Sequence, residues 1–107
     1  MPIEEITVDD LAELREGGAL VLDVRNPDEY EEARVPGVLL IPLPELGARH
    51  DEIPEADVVY VICRSGARSL RASEFLEGQG RRAVNVAGGT LAWIESGRDV
   101  DAGPDGG

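Results

Sequence analysis

The chain contains no lysine, one cysteine and one histidine, and none of its apolar stretches is long. All 10 basic side chains are arginines, set against 22 acids for a formal net charge of -12. That balance argues against nucleic acid and anionic membrane as partners, because both need a basic face that releases counterions. With only Cys63 present there is no internal disulfide and no second thiol to resolve covalent chemistry within the chain, and a lone cysteine agrees with a reducing compartment. No apolar run approaches the roughly 20 residues needed to cross a bilayer. The start, Met1 to Ile6, has neither the basic nor the apolar segment of a secretory leader, so the expected location is cytoplasmic. No cofactor and no metal is expected.

What is present fits one domain. A chain of 107 residues, 42% hydrophobic and 30% charged, has enough apolar material for a single core and too little for two. Ile3–Thr7 predicts a short strand. Thr7 then caps a helix that carries Asp9 and Asp10 in its first turn and ends at Gly17-Gly18. Ala19–Val24 is a continuous apolar run suited to a strand buried on both faces. Asn26-Pro27 starts a helix to about Arg34, Val38–Ile41 is a short strand, and Pro44 to about His50 is a helix. Val58–Ile62 is a β-branched strand, followed by a helix from about Arg68 to Glu77. Ala83–Val86 is the last strand, and Gly88-Gly89 turns into a helix from Thr90 that ends near Gly97. This alternation predicts an α/β fold, a mostly parallel sheet of about five strands with helices on both faces. The domain is expected over residues 1–98, with 99–107 an acidic, glycine-rich, flexible tail.

The chemistry is concentrated where the strand ending at Ile62 meets the next helix. Cys63, Arg64, Ser65, Gly66, Ala67, Arg68 and Ser69 place a thiol among backbone amides, a helix start and two guanidinium groups. Each of these favours thiolate over thiol. Gly66 suits a loop that turns its N–H groups inward, and Ser65 and Ser69 can donate to sulfur or cap the helix.

Several stretches together resemble the rhodanese, or thiosulfate sulfurtransferase, homology domain in its single-domain form. They are Leu22-Asp23-Val24-Arg25 with Pro27 and Asp28-Glu29-Tyr30, Val35-Pro36-Gly37-Val38 with Ile41-Pro42, the loop Cys63 to Ser69, and Gly88-Gly89 with Ala92-Trp93. The resemblance covers roughly residues 5 to 97, in the family's order. It implies a rhodanese-like fold with an active-site loop from Cys63 to Arg68, and a Cys63 that becomes persulfidated. One departure is Arg34, where relatives often carry histidine before the Val-Pro-Gly turn, which puts in doubt any contact an imidazole makes there.

The implied reaction moves a sulfane sulfur from a small anionic donor such as thiosulfate or a persulfide, through Cys63, to a thiol or cyanide acceptor, with a protein acceptor as a further candidate. Arg64 and Arg68 would bind the donor's oxygens. At long range the acidic surface repels such a donor, but screening over about 8 Å leaves the loop's own charge in control. Lowering a cysteine pKa by about two units raises its thiolate roughly 25-fold at pH 7, yet lost nucleophilicity cancels all but about threefold of this. The larger benefit comes when Cys63 leaves, and from amides that hold an anionic persulfide.

Plainer readings accompany these. Asp23 and Arg25 form a structural ion pair, Trp93 anchors the core, His50 is a solvated cation at a helix end, and Asp28 to Glu32 is a solvated helix face. Gly106-Gly107 resembles the end of ubiquitin-like sulfur carriers and is read as coincidence. Two rival functions remain. One is a phosphatase or arsenate reductase, whose sites resemble cysteine, five residues and arginine; here the arginines fall one and five positions after Cys63. The other is a non-enzymatic binding or sensor module.

Overall fold

In the computed structural model, which describes residues 3–104, strand and helix alternate along the chain. The order is β1 (Glu4–Ile6), α1 (Val8–Glu16), β2 (Leu20–Asp23), α2 (Pro27–Glu32), β3 (Leu39–Leu40) and α3 (Leu43–Arg49). A 3-10 turn at His50–Glu52 leads to β4 (Val59–Ile62), α4 (Ala67–Gly78), β5 (Ala83–Val86) and α5 (Gly89–Glu95). The five strands form one sheet in the order β1-β5-β4-β2-β3, parallel at every pairing.

The side-chain period of two divides the sheet into two cores. Val59 and Val61 of β4 and Leu22 of β2 face Leu46 of α3 and Ala72 and Leu76 of α4. Val21 and Ile62 face the other way, onto Leu11 of α1 and Trp93 of α5, with Tyr30 of α2 packed alongside. Helices therefore cover both faces, as expected. Leu11, Leu22 and Leu76 are fully buried, each a burial that stabilises by about 1.5–3 kcal/mol. Local chemistry sets the boundaries: at α1 the Thr7 hydroxyl accepts from Asp10 N–H at 3.2 Å while the Asp10 carboxylate accepts from Thr7 N–H.

The expected helix to about Arg34 ends two residues sooner, at Glu32, because the chain turns extended at Ala33 so that Arg34 can pair elsewhere. Its partner lies in the segment 99–107 expected to be a tail, where residues 99–103 make hydrogen bonds back to the domain. Arg34 N–H donates to Asp101 O at 2.9 Å, and Asp101 N–H donates back to Arg34 O at 3.0 Å. Gly103 N–H donates to Glu31 O at 2.8 Å, and the Trp93 indole N–H donates to Asp99 O at 2.9 Å. The Arg34 side chain, 1% exposed, lies over the Tyr30 ring at 4.1 Å and donates from Nη1 to Tyr30 O and Gly103 O. Polar composition hides this docking because backbone groups and one arginine do it. Residues 105–107, with the Gly106-Gly107 pair, lie outside the described residues.

β2 connects through α2 to β3 on one side, while β4 connects through α4 to β5 on the other. The chain thus diverges between β2 and β4, and in a parallel sheet such a point opens a crevice outside the carboxyl ends of the strands. Arg25 and Cys63 follow those two ends.

Candidate active site

Cys63 leaves β4 and the chain curls at once into α4. Carbonyl direction sets the loop. Cys63 O accepts from Thr90 N–H at 2.8 Å and from the Thr90 hydroxyl at 3.0 Å, and Arg64 O accepts from Leu91 N–H at 3.1 Å. The start of α5 so holds two loop carbonyls outward, which leaves the following N–H groups to face inward. Gly89 makes this approach possible. A Cβ there would stand 2.5 Å from Cys63 O and 2.6 Å from Arg64 O. Gly66, at φ 120°, completes the inward turn that few other residues adopt.

The enclosed atom is Cys63 Sγ. Gly66 N–H donates to it at 3.1 Å, and the Ser69 hydroxyl lies at 3.3 Å. Burial pushes the thiol's pKa up, but the Ser69 hydroxyl and the amides of Ser69, Gly66 and Ser65 push it down further, so the thiol is more acidic than usual. The residue as a whole is only 1% exposed.

The two loop arginines differ. Arg68 forms a fork with Glu29 of α2, Nη1 to Oε1 at 2.7 Å and Nη2 to Oε2 at 2.8 Å. Arg68 holds the Glu29 carboxyl down to about 2, against the opposing effect of burial and with help from Asn26 N–H. Glu29 in turn raises the Arg68 pKa. The reading of Asp28 to Glu32 as a wholly solvated face is therefore corrected at Glu29. Arg64 is exposed and has no ion-pair partner among the described residues. Ser65 and Ala67 are also exposed, Gly66 and Arg68 are half-buried, and Ser69 is buried.

Asp23 and Arg25 form the expected ion pair, Nη2 to Oδ2 at 2.8 Å, with Asp23 wholly buried and Arg25 4% exposed. Arg25 also donates to Ala33 O at 2.9 Å. Beside the loop, Arg25, Glu29, Arg64, Thr90 and Leu91 line a cleft of about 90 Å³. A cavity of about 650 Å³ lies at the opposite end of the sheet against Gly17–Val21 and Pro54–Val58, away from the thiol. His50 is half-buried and packs edge-on against Phe75 at 5.5 Å, and Trp93 is 2% exposed, a core anchor as expected. Arg34 donates to Tyr30 O and Gly103 O and not to the loop.

Three residues that hold this site escape a reading of the loop alone. Glu29 is fixed by tertiary pairing, Thr90 by the turn that precedes it, and Asn85 by strand alternation. Asn85, 1% exposed, shares its face of β5 with Ala83 and so lies toward α4, where its Oδ1 accepts from the Ser69 hydroxyl at 2.5 Å. A lone amide in an otherwise apolar strand was the available signal.

The fold is thus a parallel α/β sheet with a buried, hydrogen-bonded thiol in an amide-lined loop at its carboxyl edge. The profile of the rhodanese-like domain matches residues 7–96, and the chain belongs to that family. It is 39% identical over 88 residues to a sulfurtransferase of Allochromatium vinosum, covering 81% of each chain. Over 74 residues it is 45% identical to the putative sulfur carrier protein YrkF of Bacillus subtilis, a match that takes in 68% of this chain and 40% of that one. Among solved structures, a rhodanese-related protein from Thermoplasma volcanium superposes with a TM-score of 0.85 at 36% identity, covering 92% of this chain and 97% of the other.

Proposed function

We propose that this domain is a sulfurtransferase that carries one sulfane sulfur as a persulfide on Cys63. The Cys63 thiolate attacks the outer sulfur of thiosulfate. The new S–S bond forms as the sulfur–sulfite bond breaks, and sulfite departs with the bonding pair. An acceptor thiolate or cyanide then attacks the terminal sulfur of the persulfide, and Cys63 leaves as thiolate. Both steps conserve charge and need no outside oxidant. Arg64 meets the donor's oxygens at the mouth, while Arg68 and Glu29 brace the loop. The amides of Ser65, Gly66 and Ser69 hold the negative sulfur, with Ala67 at the helix start. The relatives named as sulfurtransferase and sulfur carrier support the same reading.

One observation carries it: the Gly66 amide donates to Cys63 Sγ at 3.1 Å, in a loop whose arginines stand one and five positions after the cysteine. The test is intact mass after exposure to thiosulfate, with thiocyanate formation and aryl phosphate hydrolysis measured alongside. Wild type gains one sulfur atom and makes thiocyanate in the presence of cyanide, and Cys63→Ser does neither. Thiocyanate formation that survives Cys63→Ser overturns the proposal, and phosphate release without thiocyanate replaces it with phosphatase chemistry. If neither reaction depends on Cys63, a binding module remains.

A further inference from the structure

The Ser69 hydroxyl has a single hydrogen and three acceptors within reach. They are Cys63 Sγ at 3.3 Å, Gly66 O at 3.2 Å and Asn85 Oδ1 at 2.5 Å. The orientation of the Asn85 amide is settled by its other neighbours. Its second end lies 2.8 Å from a Glu5 carboxylate oxygen and 3.2 Å from Gly66 O, both of which only accept, so the NH2 group must point there. Oδ1 is then left facing Ser69. Since Oδ1 carries no hydrogen, the 2.5 Å contact is a bond that Ser69 donates. Sulfur, the Gly66 carbonyl and the amide therefore compete for one proton donor, with the amide holding the shortest contact and the Gly66 carbonyl unchanged in any Asn85 variant.

We propose that Asn85 is a positioning residue which holds the Ser69 hydroxyl while Cys63 sulfur is neutral and yields it when the sulfur becomes negative. A neutral thiol, or a Cys63 sulfur bonded to a second sulfur, is a weak acceptor, and the hydroxyl stays with the carbonyl of Asn85. A thiolate is a charged acceptor, and the hydroxyl turns to it by rotation about the Cβ–Oγ bond, with no heavy atom moving. The donor is supplied at the moment Cys63 leaves as thiolate. Glu5, on the edge strand β1, keeps the amide from flipping and so keeps the competition in place.

Charged groups on the surrounding elements are Arg64 in the loop, Arg68 on α4 paired with Glu29 on α2, Asp23 at the end of β2 paired with Arg25 just beyond it, and Glu5 on β1. α3 packs against α4 through the buried Leu46, and α5 presents to the loop the uncharged Thr90 and its own backbone. None of these groups competes for the Ser69 hydrogen, so the competition isolates Asn85.

The proposal rests on Cys63 as the nucleophile of the function above, but its test involves no sulfur donor. The rate of iodoacetamide alkylation against pH gives the thiol midpoint in wild type, Asn85→Ala, Ser69→Ala and the double variant. Removing the competing acceptor lowers the midpoint by about half a unit, or roughly threefold more thiolate below it, the size expected for one neutral hydrogen bond. In the Ser69→Ala background the same Asn85 change leaves the midpoint where it was. A purely structural role predicts a shift that is the same with and without Ser69. That result, an upward shift, or no shift overturns the proposal. Asn85→Val fills the strand position with a β-branched side chain and is read identically if the alanine variant does not fold. Missing sulfur transfer with this pattern intact would sink the function and leave the competition standing.

Discussion

Gly89→Ala tests whether α5 holds the loop open toward the sulfur. The added methyl would lie 2.5 Å from Cys63 O, 2.6 Å from Arg64 O and 2.7 Å from the Arg64 carbonyl carbon, all of them backbone atoms with no flexible end to swing aside. The backbone at φ 58° adds a penalty of about 1 kcal/mol for any side chain. Relief requires α5 to withdraw, which breaks the bonds that Thr90 N–H, the Thr90 hydroxyl and Leu91 N–H donate, each contributing about 1 kcal/mol. The sum is about 3–4 kcal/mol against a whole-domain stability of about 5–15 kcal/mol, and corresponds to a fall in Tm on the order of 15–25 °C. Gly78→Ala is the control: it lies in α4 at an ordinary φ with nothing within 4 Å of the added Cβ, and gains about half a kcal/mol. Urea unfolding followed by the fluorescence of Trp93, 2% exposed, reads both variants. A Gly89→Ala protein within about 0.5 kcal/mol of wild type refutes the reasoning.

Other outcomes follow from the same contacts. The Glu29 carboxyl titrates at about 2 in the fold against an ordinary 4.5, so its contribution is complete above 4.5 and lost as pH falls toward 2. With Glu29 23% and Arg68 33% exposed, that contribution is discounted to about 1 kcal/mol. Glu29→Gln should flatten the acid limb of the stability profile by this amount, and an unchanged limb contradicts the pairing. Because the Cys63 thiol is acidified by hydrogen bonds, its alkylation midpoint should fall below the ordinary value of about 8.5. A midpoint at or above that value shows that burial wins. Arg34→Ala should free the docked segment, seen as faster amide exchange at Asp101 and Gly103, whereas Asp101→Asn, which keeps the backbone pairing, should not. Arg64→Gln should raise the KM for an anionic donor several-fold with little change in stability, since the side chain is exposed and its electrostatic share is about 1 kcal/mol. An unchanged KM removes Arg64 from the donor site.

Elements with local causes were legible in advance. β5 spans Ala83–Val86 as expected, and α1 starts where Thr7 caps it, because period, capping and glycine act over a few residues. Cys63 stood out because thiol, glycine and arginines fall within one short loop. What stayed hidden depends on partners distant in sequence. Glu29 lies 39 positions from Arg68, and Gly103 lies 69 from Arg34. An acidic helix face and a glycine-rich tail look solvated until the fold brings an arginine to each. Asn85 was passed over because its strand was read by its apolar neighbours, although its parity already placed it on the α4 side.

These pairings also bear on how a domain of charge -12 would accommodate the anionic donor proposed above. Near the loop, Asp23 neutralises Arg25 and Glu29 neutralises Arg68, so Arg64 is the loop's one arginine without an acid partner among the described residues. One exposed guanidinium about 4 Å from an anion supplies only about 1 kcal/mol in water. Fixed amides around a buried sulfur do more, since they need no reorganisation when charge arrives and are screened little by salt. The two ion pairs are better understood as frame. Arg25 ties the end of β2 to Ala33, and Arg68 ties α4 to α2, so the amides between them are held in place before a negative sulfur forms. A loop stabilised by free arginines would collapse onto its anion and relax when the anion left. A loop braced by paired arginines keeps one shape through both halves of a sulfur transfer.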